Sequence, residues 1–75
     1  EMDVISAFVE DKCTVGKGLS VQSSALYAAY LRWADSGNEY KMSNTKFGLE
    51  IAKRFEKVKG RKYNYYSGLT LDEQI

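Results

Sequence analysis

A chain of 75 residues, 44% hydrophobic and 28% charged, is long enough for one small folded domain and is neither disordered nor divided into several domains. It has no histidine, and its single cysteine, Cys13, cannot form an internal disulfide, which excludes a structural zinc site and a disulfide scaffold. No apolar run approaches the ~20 residues that span a bilayer, and the acidic start Glu1-Met2-Asp3-Val4 is unlike a signal peptide.

Neither a membrane nor a metal partner is therefore expected, and the lone thiol fits a reducing cytoplasm. The opening on Glu1 rather than methionine reads as a fragment of a larger protein, with residues 1–75 as one domain.

Asp3 is a good N-cap, and Ile5, Phe8, Val9 and Cys13 follow at helical spacing, which predicts a first helix over about residues 3–13. Gly16-Lys17-Gly18 breaks that pattern, and Leu19-Ser20-Val21-Gln22 alternates as a short strand. Ser23 is placed to cap a second helix whose stripe of Leu26, Tyr27, Tyr30, Trp33 and Ala34 marks a core-facing side. That helix should stop near Ser36-Gly37-Asn38.

Ser43 caps a third helix. Met42 before the cap and Phe47 within the helix are spaced as a hydrophobic staple, and Phe47, Ile51 and Phe55 face inward. Gly48 reads as a point of close packing, since glycine in a helix otherwise costs about 1 kcal/mol relative to alanine. Phe55-Glu56-Lys57-Val58 and Lys62-Tyr63-Asn64-Tyr65-Tyr66 read as two strands around the turn Lys59-Gly60-Arg61, with Leu69 and Leu71 continuing the edge after Ser67-Gly68 and residues 72–75 as a frayed tail.

The net charge of +1 conceals a segregation along the chain. Residues 1–40 carry Lys12, Lys17 and Arg32 against Glu1, Asp3, Glu10, Asp11, Asp35 and Glu39, a net of −3. Residues 41–62 carry Lys41, Lys46, Lys53, Arg54, Lys57, Lys59, Arg61 and Lys62 against Glu50 and Glu56, a net of +6. The element order of helix, strand, helix, helix and hairpin is that of an α+β winged helix-turn-helix, in which the third helix enters the major groove and the hairpin is the wing.

Double-stranded DNA is the partner this pattern implies. Asn44, Thr45, Lys46 and Leu49 lie in the first turns of helix 3 and are the candidate base readers. Glu50 shares the outward side of that helix with Lys46 and Lys53 and is counted with them among the candidate DNA-binding residues. Lys53, Lys57, Lys59, Arg61 and Lys62 suit phosphates, with Arg61 able to enter a minor groove and Tyr63 able to stack or bond to the backbone.

Taken singly, these lysines are what any solvated face carries; topology and charge together make the case. Tyr27, Tyr30, Trp33 and Cys13 belong to a core, and alternation puts Tyr63 and Tyr65 on one face of the hairpin with Tyr66 on the other. Nucleophilic, metal-dependent and nucleotide-hydrolysing schemes all lack their residues: Gly16-Lys17-Gly18 has neither the spacing nor the Ser/Thr ending of a phosphate loop. The chain alone is expected to be no enzyme and to hold no cofactor.

Val4 to Cys13 as an opening helix, Leu26-Tyr27-Ala28-Ala29-Tyr30 with Trp33, Met42-Ser43 leading to Phe47-Gly48, and Tyr66-Ser67-Gly68-Leu69-Thr70-Leu71 together resemble the C-terminal winged-helix domain of phage and plasmid primase-helicases of the poxvirus primase type. The resemblance spans nearly the whole chain. It implies a DNA-binding appendage that follows a primase region and a helicase ATPase and helps recognise an origin, with the rest of that parent as a further partner. Two departures stand out: the glycine expected at the end of the third helix is absent, Arg54 preceding Phe55 there, and the wing turn is short. A protein-docking winged helix and a small transcriptional regulator are the competing readings.

Overall fold

The computed structural model describes residues 4–72, so the capping role read for Asp3 and the tail after Asp72 lie outside the described residues. In chain order the elements are α1 (Val4–Lys12), β1 (Cys13–Gln22), α2 (Ser23–Ser36), α3 (Asn44–Ala52), β2 (Glu56–Lys59) and β3 (Asn64–Leu71). The strands form one antiparallel sheet in the order β1-β3-β2. The expected α+β class holds, and the first strand pairs along the hairpin's second strand to make a sheet of three.

Helix α1 buries Ile5, Phe8 and Val9 and ends at Lys12, one residue earlier than its periodicity indicates. The reason is tertiary. Cys13 already pairs with Leu71 across the sheet, and the Asp72 amide donates to the Lys12 carbonyl at 2.8 Å. The Thr14 hydroxyl also bonds to the Asp72 carboxylate, so this residue, expected in the frayed tail, is tied down.

The largest correction concerns Gly16-Lys17-Gly18, which does not separate helix from strand but lies within β1. Val15 pairs with Leu69 and Ser20 with Ser67, so the four residues 16–19 stand opposite Gly68 alone. That mismatch is a bulge, and its effect is a change of facing. Regular alternation would send Tyr66 and Leu69, three residues apart, to opposite faces. Both are buried, at 3% and 0% exposure, because Gly68 sits at φ 102°, where a side chain is strained.

Helix α2 buries Leu26, Tyr30 and Ala34, with Tyr27 and Trp33 packed at the margin. Its N-cap is Gln22 rather than Ser23, and no side chain caps it. The Gly37 amide closes its other end on the Trp33 carbonyl at 3.0 Å. Ahead of α3, the Ser43 hydroxyl accepts from the Lys46 amide at 3.2 Å, and Met42 and Phe47 are both buried, as a staple requires.

At the far end of α3 the Arg54 and Phe55 amides both donate to the Ile51 carbonyl at 2.9 Å. Lys53 stays in the right-handed region at φ −71°. The exit needs no positive φ, which accounts for the missing glycine. The first hairpin strand starts and stops a residue later than its sequence indicates and the second starts later, leaving residues 60–63 as the turn, closed by the Gly60 amide on the Tyr63 carbonyl at 2.9 Å. A Cβ on Gly60 would stand 2.5 Å from that same carbonyl oxygen, so this turn requires glycine.

Burial, reinforced by the Asp72 carboxylate, pushes the Cys13 thiol from its ordinary 9.0 up to about 11. A raised thiol pKa means that the unfolded chain ionises first. This contribution to stability is complete below 9.0 and is lost as the pH climbs towards 11.

Two predictions follow from this packing. Gly48 has room after all, since a Cβ there would meet only the Tyr66 hydroxyl at 3.5 Å, an ordinary contact. Gly48→Ala should therefore raise the unfolding free energy by up to about 1 kcal/mol, whereas Gly68→Ala should lower it by about 1–3 kcal/mol. Denaturant midpoints moving in opposite directions are the expected result; an unchanged midpoint for Gly68→Ala would disprove the account of the bulge. The second concerns Cys13: near pH ~8 it should react with a soluble disulfide reagent far more slowly in the folded protein than in denaturant, and equal rates would show that the thiol is open.

Candidate nucleic-acid interface

The rotation of α3 about its axis follows from which residues it buries. With about 3.6 residues per turn, Phe47 and Ile51 pointing inward leave Thr45, Leu49 and Ala52 along the outer crest, all exposed. Asn44 and Gly48 lie on the flank towards the hairpin. Lys46, Glu50 and Lys53 lie on the opposite flank.

The hairpin supplies the other wall. Lys57 pairs with Tyr66 and Lys59 with Asn64, so all four side chains share one face of the sheet. Tyr66 is buried, with its hydroxyl over Gly48, and therefore that face looks towards α3. Between them runs a groove of about 530 Å³, floored by Tyr66 and bordered by Asn44, Thr45, Leu49, Ala52, Lys57 and Asn64. Burial raises the pKa of the Tyr66 phenol, which stays protonated at neutral pH.

The charged residues divide into two sets. Glu50 holds Lys53 at 3.2 Å and Arg54 at 3.7 Å, and Arg54 also donates to the Glu50 carbonyl at 3.0 Å. Glu50 is thus a local counter-ion rather than a group presented outwards, and the Lys53 charge is partly matched. Such exposed pairs contribute only about 0–1 kcal/mol to stability. By contrast, Lys46, Lys57, Lys59, Arg61 and Lys62 are exposed, and among the described residues none of them is in an ion pair.

The residues singled out from the sequence therefore fall into three groups. Asn44, Thr45, Leu49 and Lys57 meet at the groove, with Lys59 on the same sheet face. Arg61, Lys62 and Tyr63, the last 49% exposed, form the hairpin tip. Lys46, Glu50 and Lys53 lie on the side of α3 away from the groove. Asn64 and Ala52, which the sequence reading missed, also border it. Asn64 was within reach of that reading, because it lies two residues from Tyr66 and so on the same face.

A larger cleft of about 700 Å³ lies between the end of α1, α2 and the end of β3. Its lining balances Asp11 and Asp72 against Lys12 and Arg32, and the Trp33 indole N–H donates to the Asp11 carboxylate at 2.8 Å. Without a net charge it has no pull on a polyanion, despite its size.

Among the described residues no three His, Cys, Asp or Glu side chains cluster as metal ligands, and no helix is long and apolar enough to cross a membrane. No curated protein sequence matches the chain. The family model described as "Poxvirus D5 protein-like" does match it, over residues 1–72, and the chain belongs to that family.

Proposed function

We propose that this domain is the DNA-binding winged helix-turn-helix of a viral or mobile-element replication protein, a primase-helicase of the poxvirus D5 type, and that it seats duplex DNA across α3 and the β2–β3 hairpin. The observation that carries the reading is the set of cations Lys46, Lys57, Lys59, Arg61 and Lys62, none of them in an ion pair among the described residues, carried by the two elements that wall one groove. The sheet order β1-β3-β2 with α3 just before the hairpin supports it, because this arrangement presents a helix and a wing side by side. The family match supports the link to replication.

In this reading α3 approaches the major groove by its outer crest and first turn. Lys57 and Lys59 neutralise phosphates along one strand, Lys62 and the Tyr63 hydroxyl hold the backbone near the tip, and Arg61 reaches towards a minor groove. Lys46 serves the phosphates beside α3. Affinity then comes mostly from released counterions.

Titration of labelled duplex at two salt concentrations is the test. Five cations set against the phosphate charge predict a loss of about two to three orders of magnitude in affinity between roughly 50 and 200 mM salt. Lys57→Glu and Arg61→Glu should each weaken binding to any sequence and flatten the logarithmic salt dependence by about 1. Lys53→Glu should do less, its charge being already matched by Glu50. Binding that ignores salt, or that survives both reversals unchanged, overturns the proposal and favours protein docking.

A further inference from the structure

The row Thr45, Leu49 and Ala52 on the outer side of α3 is uncharged in a chain in which 28% of residues carry charge, and Lys46 and Lys53 border it on the flank away from the hairpin. Each side chain in that row ends in one or more methyl groups. Leu49 is 61% exposed and contributes little to the core. The cations lie to either side, on the hairpin and on the far flank, and the one carboxylate of α3 is drawn aside by Lys53 and Arg54. A helix carried into a DNA groove in this orientation meets the base edges with methyl groups and meets phosphates with lysines.

In the major groove the C5-methyl of thymine is the base-edge group that matches an apolar side chain. The Asn44 amide, exposed at the first turn on the groove side of the crest, matches adenine, which offers it a donor and an acceptor together. Both preferences belong to the same base pair. We infer that α3 reads A·T pairs from the major groove, with Leu49 packed on thymine methyl groups and Asn44 placed against adenine. The inference rests on the DNA-binding reading above and adds to it a base preference and the residue that sets it.

The test compares an alternating A·T duplex with the same duplex carrying uracil for thymine, which removes only the methyl groups. Fluorescence anisotropy at fixed salt should show the protein binding the thymine duplex more tightly, by about fourfold for each methyl group it buries. Leu49→Ala alters an exposed side chain, so its fold should persist, as circular dichroism will show. It should bind the thymine duplex only as well as the uracil duplex. Equal affinity of the unaltered protein for both duplexes, with binding still sensitive to salt, overturns the inference and leaves the DNA-binding reading standing. Full discrimination in Leu49→Ala overturns the assignment to Leu49. Salt-insensitive binding to both duplexes defeats the underlying reading and this inference with it.

Discussion

Tyr30 is wholly buried, and its phenol ring stacks on Phe47 with centroids 4.7 Å apart and planes at 27°. A hydroxyl so placed is costly unless it is bonded, by about 1–3 kcal/mol. Here it donates to the Tyr40 carbonyl at 2.6 Å and accepts from the Met42 amide at 3.2 Å. One side chain of α2 thereby fixes both the irregular connection before α3 and the ring that α3 turns inward. Tyr27 repeats the device beside it, donating to the Met42 carbonyl at 2.7 Å. Phe8 of α1 meets Tyr30 edge-on at 5.6 Å and completes the cluster from the remaining helix.

The rotation of α3 depends on this cluster, and the groove depends on that rotation. Had Phe47 no stacked partner, α3 could roll, and the crest of Thr45, Leu49 and Ala52 would have no defined direction. The sheet meets the same need by different means. Tyr66 must point towards α3 to bring Lys57, Lys59 and Asn64 with it, yet Leu69 must also enter the core. The bulge opposite Gly68 reconciles these demands by changing the facing of the strand between the two residues. Phe55 then packs beside the glycine, its ring 3.4 Å from where a Cβ would stand.

Signals carried by neighbouring residues were legible in the sequence. The aromatic stripe of α2, the Ser43 cap, the Met42 and Phe47 staple and the inward face of α3 all follow from spacings of eight residues or fewer, within one element or at its start. Of β1 only the end, Leu19 to Gln22, was legible; the part before it was not, because its pairing partner lies some fifty residues away and Gly16-Lys17-Gly18 has the composition of a break. Only the presence of β3 turns that tripeptide into part of a strand. The site divides in the same way: Asn44, Thr45 and Leu49 follow from the helix alone, whereas the withdrawal of Glu50 and Lys53 depends on rotamers and ion pairs that no linear pattern encodes.

Separating the residues that fix α3 from those it presents has a further consequence. Phe47 and Ile51 hold the helix, and truncating a buried phenylalanine typically costs about 3–5 kcal/mol, a large share of what a domain of this size has in reserve. Thr45, Leu49 and Ala52 bear little of that load, being exposed, and exposed substitutions usually change stability by less than about 0.5 kcal/mol. The crest can therefore exchange side chains while the hairpin cations keep their places. The surface that α3 turns outward can change without refolding the domain, because the rings that orient the helix and the residues that face outward are different residues on opposite sides of it.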